Sequence, residues 1–320
     1  MTRRSPAAAI ASAAAILAAA ALFAILVGSV PLSLSALRRG DAVARAILAL
    51  RLPRVALAAG TGAALGMAGA ALQALLKNPL ADPFLLGTSG GAAAGAAIAI
   101  FLGVSPLASP AGAFVGAAVA TAAVLLLALR SGRIDLQRLL LAGVTMNAFF
   151  SALILLLFSS AAGGRSRSML FWMMGSLADA RASEAAALAA YLVAGGGLLL
   201  ATAPALNLFL VGEESAASLG VAVERTKAVV FAAAALLAGA ATAFVGIVGF
   251  VGLIAPPLAR HAWGNDQRTL LPCSAATGAA LVVLADALSR LIFAPAEIPI
   301  GAVTALVGVP FFLAALRRAS

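Results

Sequence analysis

Runs of about twenty residues without a charge recur along this chain, and they constrain its fold more than any other feature. The clearest run is 55–76, which has arginines at 51 and 54 on one side and Lys77-Asn78-Pro79 on the other. A bilayer core of about 30 Å needs about 20 helical residues, so this run predicts one membrane crossing. Pro53 predicts its first helical turn, and Asn78-Pro79 predicts its end.

The rest of the chain repeats this pattern. Apolar spans can be counted at about residues 7–30, 53–76, 86–104, 110–129, 136–160, 186–203, 226–245, 247–262, 270–293 and 300–316. Of the 320 residues, 63% are hydrophobic and 10% are charged, whereas about a quarter of a soluble domain is charged. We therefore predict an all-α polytopic membrane protein with ten transmembrane helices and a single domain, residues 1–320.

The amino end has the charged start and apolar body of a signal peptide. Its apolar run, 6–30, exceeds the 7 to 15 residues usual for a signal peptide, so an uncleaved first helix is the favoured interpretation. The chain has one cysteine and one histidine, which excludes a disulfide framework and a clustered metal site at the level of sequence.

The basic residues act as topology signals. Their net charge of +10 is scattered between apolar spans and forms no stripe interleaved with aromatics, so it does not indicate nucleic-acid binding. An even number of spans puts both termini on one side, predicted to be the cytoplasm. Nine of the 21 basic residues then lie outside, among them Arg51, Arg54 and Arg290. An acidic partner docking from outside would explain this excess.

Two segments between spans have their own pattern. Residues 163–184 predict a short helix at the outer surface or lining a vestibule, with Trp172 in the headgroup zone; a loop with an aromatic belt residue is an equal alternative. Residues 206–226 contain Gly212, then Glu213-Glu214 suited to a first helical turn, then Gly220 as a stop. They predict a short amphipathic helix at the inner surface, either a lever for a cytosolic protein or a solvated loop.

Irregular spans predict internal packing or function. Glycines at 246, 249 and 252 followed by Pro256-Pro257 predict a broken helix, buried by protein or lining a water-filled path. Asp286 and Arg290 are spaced to pair along one helix, and a structural role is favoured for them. Close helix packing is predicted at three pairs of small residues: Gly62/Gly66, Gly91/Gly95 and Gly112/Gly116.

Several long motifs resemble one known family. They are RLPR at 51–54, QALLKNPLADP at 73–83 with LGTS at 86–89, FWMMGSL at 171–177, GEE at 212–214 with Leu219-Gly220, GFVGLI at 249–254 with Arg260, and AEIPIG at 296–301 with GVPF at 308–311. Together they resemble the permease subunits of iron-chelate and vitamin B12 ABC importers, the FecCD family of type II importers. The motifs follow the family order from about residue 40 to the end.

The resemblance implies partners and site residues. It implies a homodimer with the translocation path between two copies, a cytosolic ABC ATPase dimer below, and a periplasmic or lipoprotein solute-binding protein above, in the bacterial cytoplasmic membrane. Arg51, Arg54 and Arg290 would dock the binding protein. Coupling to the ATPase would use Glu213, Glu214, Ser215, Ala217, Leu219 and Gly220. ATP and Mg²⁺ would bind to the ATPase, so no cofactor and no enzymatic activity are expected of this chain.

A path or gate would involve a further set: Asn147, Trp172, Gly249, Gly252, Pro256 and Pro257. The sequence departs from the family at two places on the inner side. Pro256-Pro257 stands where proline-histidine is usual, and Asp266-Gln267-Arg268 stands where Asp-His-Arg is frequent. Details of the cytoplasmic end of the path therefore do not transfer directly. The expected mechanism is alternating access by a rigid-body shift of packed helices.

Alternatives remain for both class and cargo. A secondary transporter needs buried carboxylates or unwound ion sites, and Asp286 alone gives it little support. A membrane-embedded enzyme lacks clustered acid, base or metal-binding residues. The expected cargo is a ferric siderophore, followed by cobalamin and haem, and no residue in the sequence separates them.

Overall fold

A computed structural model shows why the sequence alternates apolar spans with short polar breaks. It describes residues 5–319 except 29, 31, 34, 36, 37, 105–107, 162, 293 and 295. The charged start predicted at residues 1–4 lies outside the described residues. Within the described part, twelve α-helices account for nearly all of the structure, and the one sheet is a two-residue-per-strand hairpin.

The elements follow one another with short connections. The helices are α1 Pro6–Leu26, α2 Ala42–Leu75, α3 Thr88–Phe101, α4 Ala108–Ala128, α5 Leu136–Ser160, α6 Gly164–Met174, α7 Ala182–Val211, α8 Glu213–Ser218, α9 Val223–Val245, α10 Val251–Trp263, α11 Gln267–Ser289 and α12 Ile300–Ala319. A 3₁₀ helix, Pro83–Leu86, precedes α3, and strands β1 Leu129–Arg130 and β2 Arg133–Ile134 form an antiparallel hairpin between α4 and α5.

Each of the ten predicted spans coincides with a helix. In the part of the chain that the structure describes, seven helices are long and apolar enough to cross a membrane: α1, α2, α4, α5, α7, α9 and α11. Helices α3 and α10 are shorter, with 14 and 13 residues, and the apolar part of α12 is Ile300–Pro310. The chain is therefore a multi-pass membrane protein.

Successive helices run back and forth between two ends of one bundle. The α6 end contains α6, the start of α2 and the end of α11. The α8 end contains α8, the β-hairpin and the start of α11. Hydrogen bonds join chain segments at each end, such as Ser176 N to the Val245 carbonyl at the α6 end and Asn207 to Asp266 at the α8 end.

Helix α2 is the centre of the bundle. It packs against α7, α9, α10 and α11, and every residue from Thr61 to Leu75 is buried. This segment has no polar face, which is the pattern of a helix surrounded by other helices. The segment that the sequence singled out as typical of the chain is therefore its core.

The predicted start of α2 was wrong. The helix begins at Ala42, where the Asp41 side chain accepts a hydrogen bond from Val43 N, and Pro53 lies inside the helix. Proline lacks only the amide that would bond to the carbonyl four residues earlier, so a long helix can contain it. With 34 residues, α2 is about 51 Å long and exceeds the bilayer core.

Glycines allow the closest helix contacts, as the spacing predicted. A Cβ at Gly62 would collide with the Gly278 backbone on α11, and one at Gly95 would collide with the Gly112 backbone on α4. Gly91 and Gly116 meet in the same way. The predicted pairs thus stabilise the α2–α11 and α3–α4 contacts through dispersion between backbones.

Candidate functional sites at the two ends of the bundle

Arg54 and Asp286 are the centre of an ion-pair network at the α6 end. The Arg54 Nη2 atom lies 2.8 Å from Asp286 Oδ1, and its Nη1 and Nη2 atoms each donate to one Glu297 carboxylate oxygen at 2.9 Å. Arg290 Nε lies 3.2 Å from Asp286 Oδ2. The Asp286–Arg290 pairing predicted from spacing is therefore present, and Asp286 also joins α11 to α2.

Two arginines of this end hold helix α1 in place. Arg51 donates to the carbonyl oxygens of Ile25 and Val30, and Arg290 donates to the carbonyl of Ala24 at 2.9 Å. Carbonyls in the last turn of a helix have no partner within that helix, so cations are favourable there. The arginines therefore fasten the end of α1 to α2 and α11.

These contacts bear on the predicted docking of a binding protein. Arg51 and Arg290 are buried, and Arg54 exposes 12% of its side chain. Glu297, which pairs with Arg54, exposes 39% of its side chain at the rim. Part of the outward excess of arginine thus serves contacts within the chain, and docking through these residues stays a prediction.

A cavity of about 890 Å³ opens beside this network. Its wall includes Arg54, Asp286 and Glu297 on one side and Phe171 and Trp172 of α6 on the other. Helix α6 is a short helix, as predicted, and it lines this vestibule. Trp172 is half-buried against neighbouring apolar side chains.

The predicted break in the eighth span lies between α9 and α10. Residues 246–250 are not helical, and Gly246 has φ +82°, with the Trp172 carbonyl where a Cβ would be. The break is covered by protein, since Ser176 N donates to the Val245 carbonyl and Ile300 N donates to that of Gly175. This meets the requirement that non-helical backbone at membrane depth be shielded from lipid.

The other predicted path residues are divided between this break and two helices. Gly252 is buried, and its carbonyl accepts from Gln73 Nε2 at 3.2 Å; Gly249 is half-buried and has open space beside it. Pro256 and Pro257 both lie within α10. Asn147 of α5 donates to the Phe84 carbonyl at 3.1 Å. The structure does not bring these residues together into one lining.

The predicted coupling helix is present at the α8 end. Helix α8 begins at Glu213, and Gly220, with φ +85°, follows its last turn. Glu214, Ala217, Leu219 and Gly220 are exposed, whereas Ser215 is half-buried. The Glu213 carboxylate instead turns to Lys227 of α9. The six predicted coupling residues therefore form one exposed face and one internal contact.

Both departures from the family pattern lie at this end. Asn207 donates to Asp266 Oδ1 at 2.8 Å and accepts from Gln267 N at 2.8 Å. The Asn207 hydrogen bond lowers the pKa of Asp266, which caps α11 by accepting from Arg268 N. Gln267 is buried at the position where the family frequently has histidine. Its amide thus contributes to the α7–α11 junction.

Asp82 is a buried acid that the sequence analysis quoted only as part of a motif. Its Oδ1 atom accepts from Phe84 N at 2.8 Å, which caps the 3₁₀ helix. Burial raises the pKa of Asp82 to about 6. Because an unfolded aspartate ionises near pH 4, the folded protein binds an extra proton between about pH 4 and 6. Stability is therefore lost as the pH rises through this interval.

We expect Asp82→Asn to raise the thermal midpoint in detergent at pH 7.5. Asparagine keeps the oxygen that accepts from Phe84 N and removes the buried charge, a difference of about 3 kcal/mol for this pKa shift. The gain should shrink towards pH 4.5. Asp266→Asn is the control, since the pKa of Asp266 is lowered and its ionised form is the favoured one. A midpoint for Asp82→Asn at or below that of the wild type at pH 7.5 would contradict this.

Three buried or paired residues were missed by the sequence analysis as site residues: Lys227, Glu224 and Glu297. Glu224 and Lys227 are spaced three residues apart on α9, which is a recognisable helical pair, and their pairing is observed at 3.1 Å. Glu297 lies in a quoted motif, but its partner Arg54 is more than 200 residues away in the chain. Only the tertiary structure could join these two.

The features at the two ends define a class of protein. A multi-pass helical bundle, a broken helix shielded by protein and a short exposed helix at one end are the features of a transport permease. The sequence matches the FecCD transport family over residues 16–318, and the chain belongs to that family.

Relatives and a solved structure agree with this assignment. The chain is 42% identical over 269 residues to the cobalamin import system permease BtuC of Halobacterium salinarum, covering 84% of this chain and 72% of that protein. It is 38% identical to the hemin transport system permease HmuU of Yersinia pestis, covering 87% and 85%. A structure described as an inward-facing conformation of a metal-chelate type ABC transporter has a TM-score of 0.87 at 30% identity, covering 98% and 99%.

Proposed function

We propose that this chain is the membrane-spanning subunit of an ABC importer that carries an iron chelate across the bacterial cytoplasmic membrane. The α8 helix is the observation that carries this proposal, because a permease without its own nucleotide site needs a surface through which an ATPase acts. Its exposed face contains Glu214, Ala217 and Leu219 at one end of the bundle. The family match and the relatives' names support the same conclusion.

The complete transporter would contain two copies of this chain. Each copy would cross the membrane ten times with both termini in the cytoplasm, and the path would lie between the copies. An ATPase dimer, which holds ATP and Mg²⁺, would bind at the α8 end. No cofactor would bind to this chain. ATP binding would move α8 and shift packed helices so that the open end of the path changes.

A solute-binding protein would dock at the α6 end. The cavity there presents Arg54 at its rim, already paired with Glu297. A carboxylate from a binding-protein lobe would take the place of Glu297 on the Arg54 guanidinium, since both bind the same bidentate edge. Arg51 and Arg290 would support this surface from beneath by fixing the end of α1.

Ferric siderophore is the proposed cargo, and cobalamin and haem are the second candidates. The two named relatives carry cobalamin and hemin in their names, and the solved structure is of a metal-chelate type. All of these are large metal chelates, which a path between two subunits can pass without tight binding. Uptake of the three chelates by the reconstituted complex, measured side by side, identifies the cargo.

Charge reversal on α8 tests the proposed function. We expect Glu213→Lys with Glu214→Lys to reduce ATP-dependent uptake in proteoliposomes about tenfold or more, because the change removes a partner contact and places a lysine beside Lys227. The permease should also capture less ATPase. Asp179→Lys, an exposed acid at the α6 end, is the control and should capture a normal amount. Unchanged uptake in the double variant, or uptake by this chain without an ATPase, would contradict the proposal.

A further inference from the structure

Lys227 is a buried cation that joins three elements at the α8 end. It lies in the second turn of α9, and its side chain is 4% exposed. Its Nζ atom donates to Glu213 of α8, to Glu224 Oε1 at 3.1 Å and to the Ile134 carbonyl of β2 at 3.3 Å. A buried ammonium is stable only when its donors are satisfied, and here all three have acceptors.

The backbone of Ile134 is held on both sides by the same cluster. Glu224 Oε2 accepts from Ile134 N at 2.6 Å, while Lys227 binds the Ile134 carbonyl. Asp135, the next residue, caps helix α5 by accepting from Gln137 N at 3.0 Å. The hydrogen-bonded chain from α8 thus reaches the first turn of α5 in three steps.

The β-hairpin presents its own charges beside α8. Ser131 and Gly132 form its tight turn, with φ of +50° and +78°, and Arg130 and Arg133 are exposed on either side. These two arginines border a cavity of about 440 Å³ together with Glu213, Glu224 and Lys227. A partner that contacts the exposed face of α8 would therefore also meet two cations of the hairpin.

We propose that α8 and the β1–β2 hairpin form one composite docking surface for the ATPase, and that Lys227 is the positioning residue that makes them move together. The inference rests on the proposed function, which assigns the partner. It adds a second contact segment and a route by which displacement of α8 reaches α5. The chemistry of the surface calls for acidic groups on the partner opposite Arg130 and Arg133 and an apolar recess for Leu219.

The route predicts that loss of Lys227 separates ATP hydrolysis from transport. Without its ammonium, α8 still presents Glu214 and Leu219 to the ATPase, but the hydrogen bonds to Ile134 and Glu213 are gone. Truncating one partner of a buried charge cluster costs several kcal/mol, which corresponds to about tenfold or more in the amount of solute moved per ATP hydrolysed. A purely structural loss would lower uptake and hydrolysis together and leave that ratio unchanged.

The test uses the full complex of this chain with its ATPase and binding protein in proteoliposomes. Lys227→Met should lower the solute moved per ATP about tenfold, and Lys227→Arg, which keeps a cation, should restore it to within about threefold of the wild type. Arg225→Met is the matched control, because Arg225 is exposed two residues away on the same helix, and its ratio should not change. Arg130→Glu with Arg133→Glu should reduce ATPase capture.

Further variants keep the inference testable if Lys227→Met does not fold. Glu213→Gln removes only the charge at the α8 side, and it should lower the ratio about threefold without loss of protein. A wild-type ratio in Lys227→Met, or in Glu213→Gln if the former is unfolded, overturns the inference. Normal ATPase capture by the hairpin double variant overturns the composite surface. In either case the proposed function stands as long as wild-type uptake depends on ATP, so the two failures are distinguishable.

Discussion

Replacing Asp286 with asparagine is expected to lower the thermal midpoint of the purified protein by about 6 °C or more. Asp286 is 1% exposed and is the anion between Arg54 and Arg290, at 2.8 and 3.2 Å. Without it, two buried guanidinium groups face each other and only Arg54 retains a carboxylate, from Glu297. Removing one partner of a buried ion pair costs about 3 to 5 kcal/mol. Uptake should fall as well, because the same network shapes the cavity at the α6 end.

The control for this prediction is Asp179→Asn. Asp179 lines the same cavity and is exposed, so loss of its charge should leave the midpoint nearly unchanged. The measurement is a fluorescence thermal-shift curve in one detergent for all variants. A midpoint for Asp286→Asn within about 2 °C of the wild type would show that the network contributes little to the fold.

Replacing Gly278 with valine is expected to prevent accumulation of folded protein in the membrane. The Gly278 Cα faces the Gly62 backbone, and an added Cβ would overlap the Gly62 carbonyl oxygen. Backbone cannot rotate away as a side chain can, so the whole length of α11 would have to move off α2. Overpacking usually costs about 1 to 3 kcal/mol, and a backbone collision lies at or above the upper end of this range.

The matched variant is Gly197→Val, within helix α7. Gly197 has open space where its Cβ would be, and it lies in a helix of the same apolar kind. Membrane yield and the size-exclusion profile should be near those of the wild type for Gly197→Val and strongly reduced for Gly278→Val. Equal yields of the two variants would mean that α2 and α11 tolerate separation, contrary to the central position of α2.

Several features of the sites could be predicted from neighbouring residues alone. The α8 helix follows from Gly212, the acidic pair and Gly220, because helix capping and the helix dipole act within one turn. The Asp286–Arg290 contact follows from helical spacing, and the glycine pairs follow from the small-residue pattern. The family motifs then indicated which of these segments belong to function.

Other features depend on residues far apart in the chain. Arg54 was predicted to face outward to a partner, and it instead contacts Asp286 and Glu297, more than 200 residues away. The extension of α2 to Ala42 was missed because Pro53 was taken as a first-turn residue, although a long packed helix accommodates it. Local rules do not contain the cost of a missing amide relative to the packing gained by eleven further residues.

What the sequence by itself determined is the class of the chain: uncharged apolar runs of bilayer length, glycines for close helix contacts and polar breaks at which helices end. These follow from the cost of placing charge and unpaired backbone in hydrocarbon, which acts on each segment separately. Only the tertiary structure decided the partners of the buried charges. Lys227 meets β2 and Arg54 meets the segment before α12 because helix packing brings them within hydrogen-bond distance. Such pairings depend on the relative positions of whole helices, which no local pattern specifies.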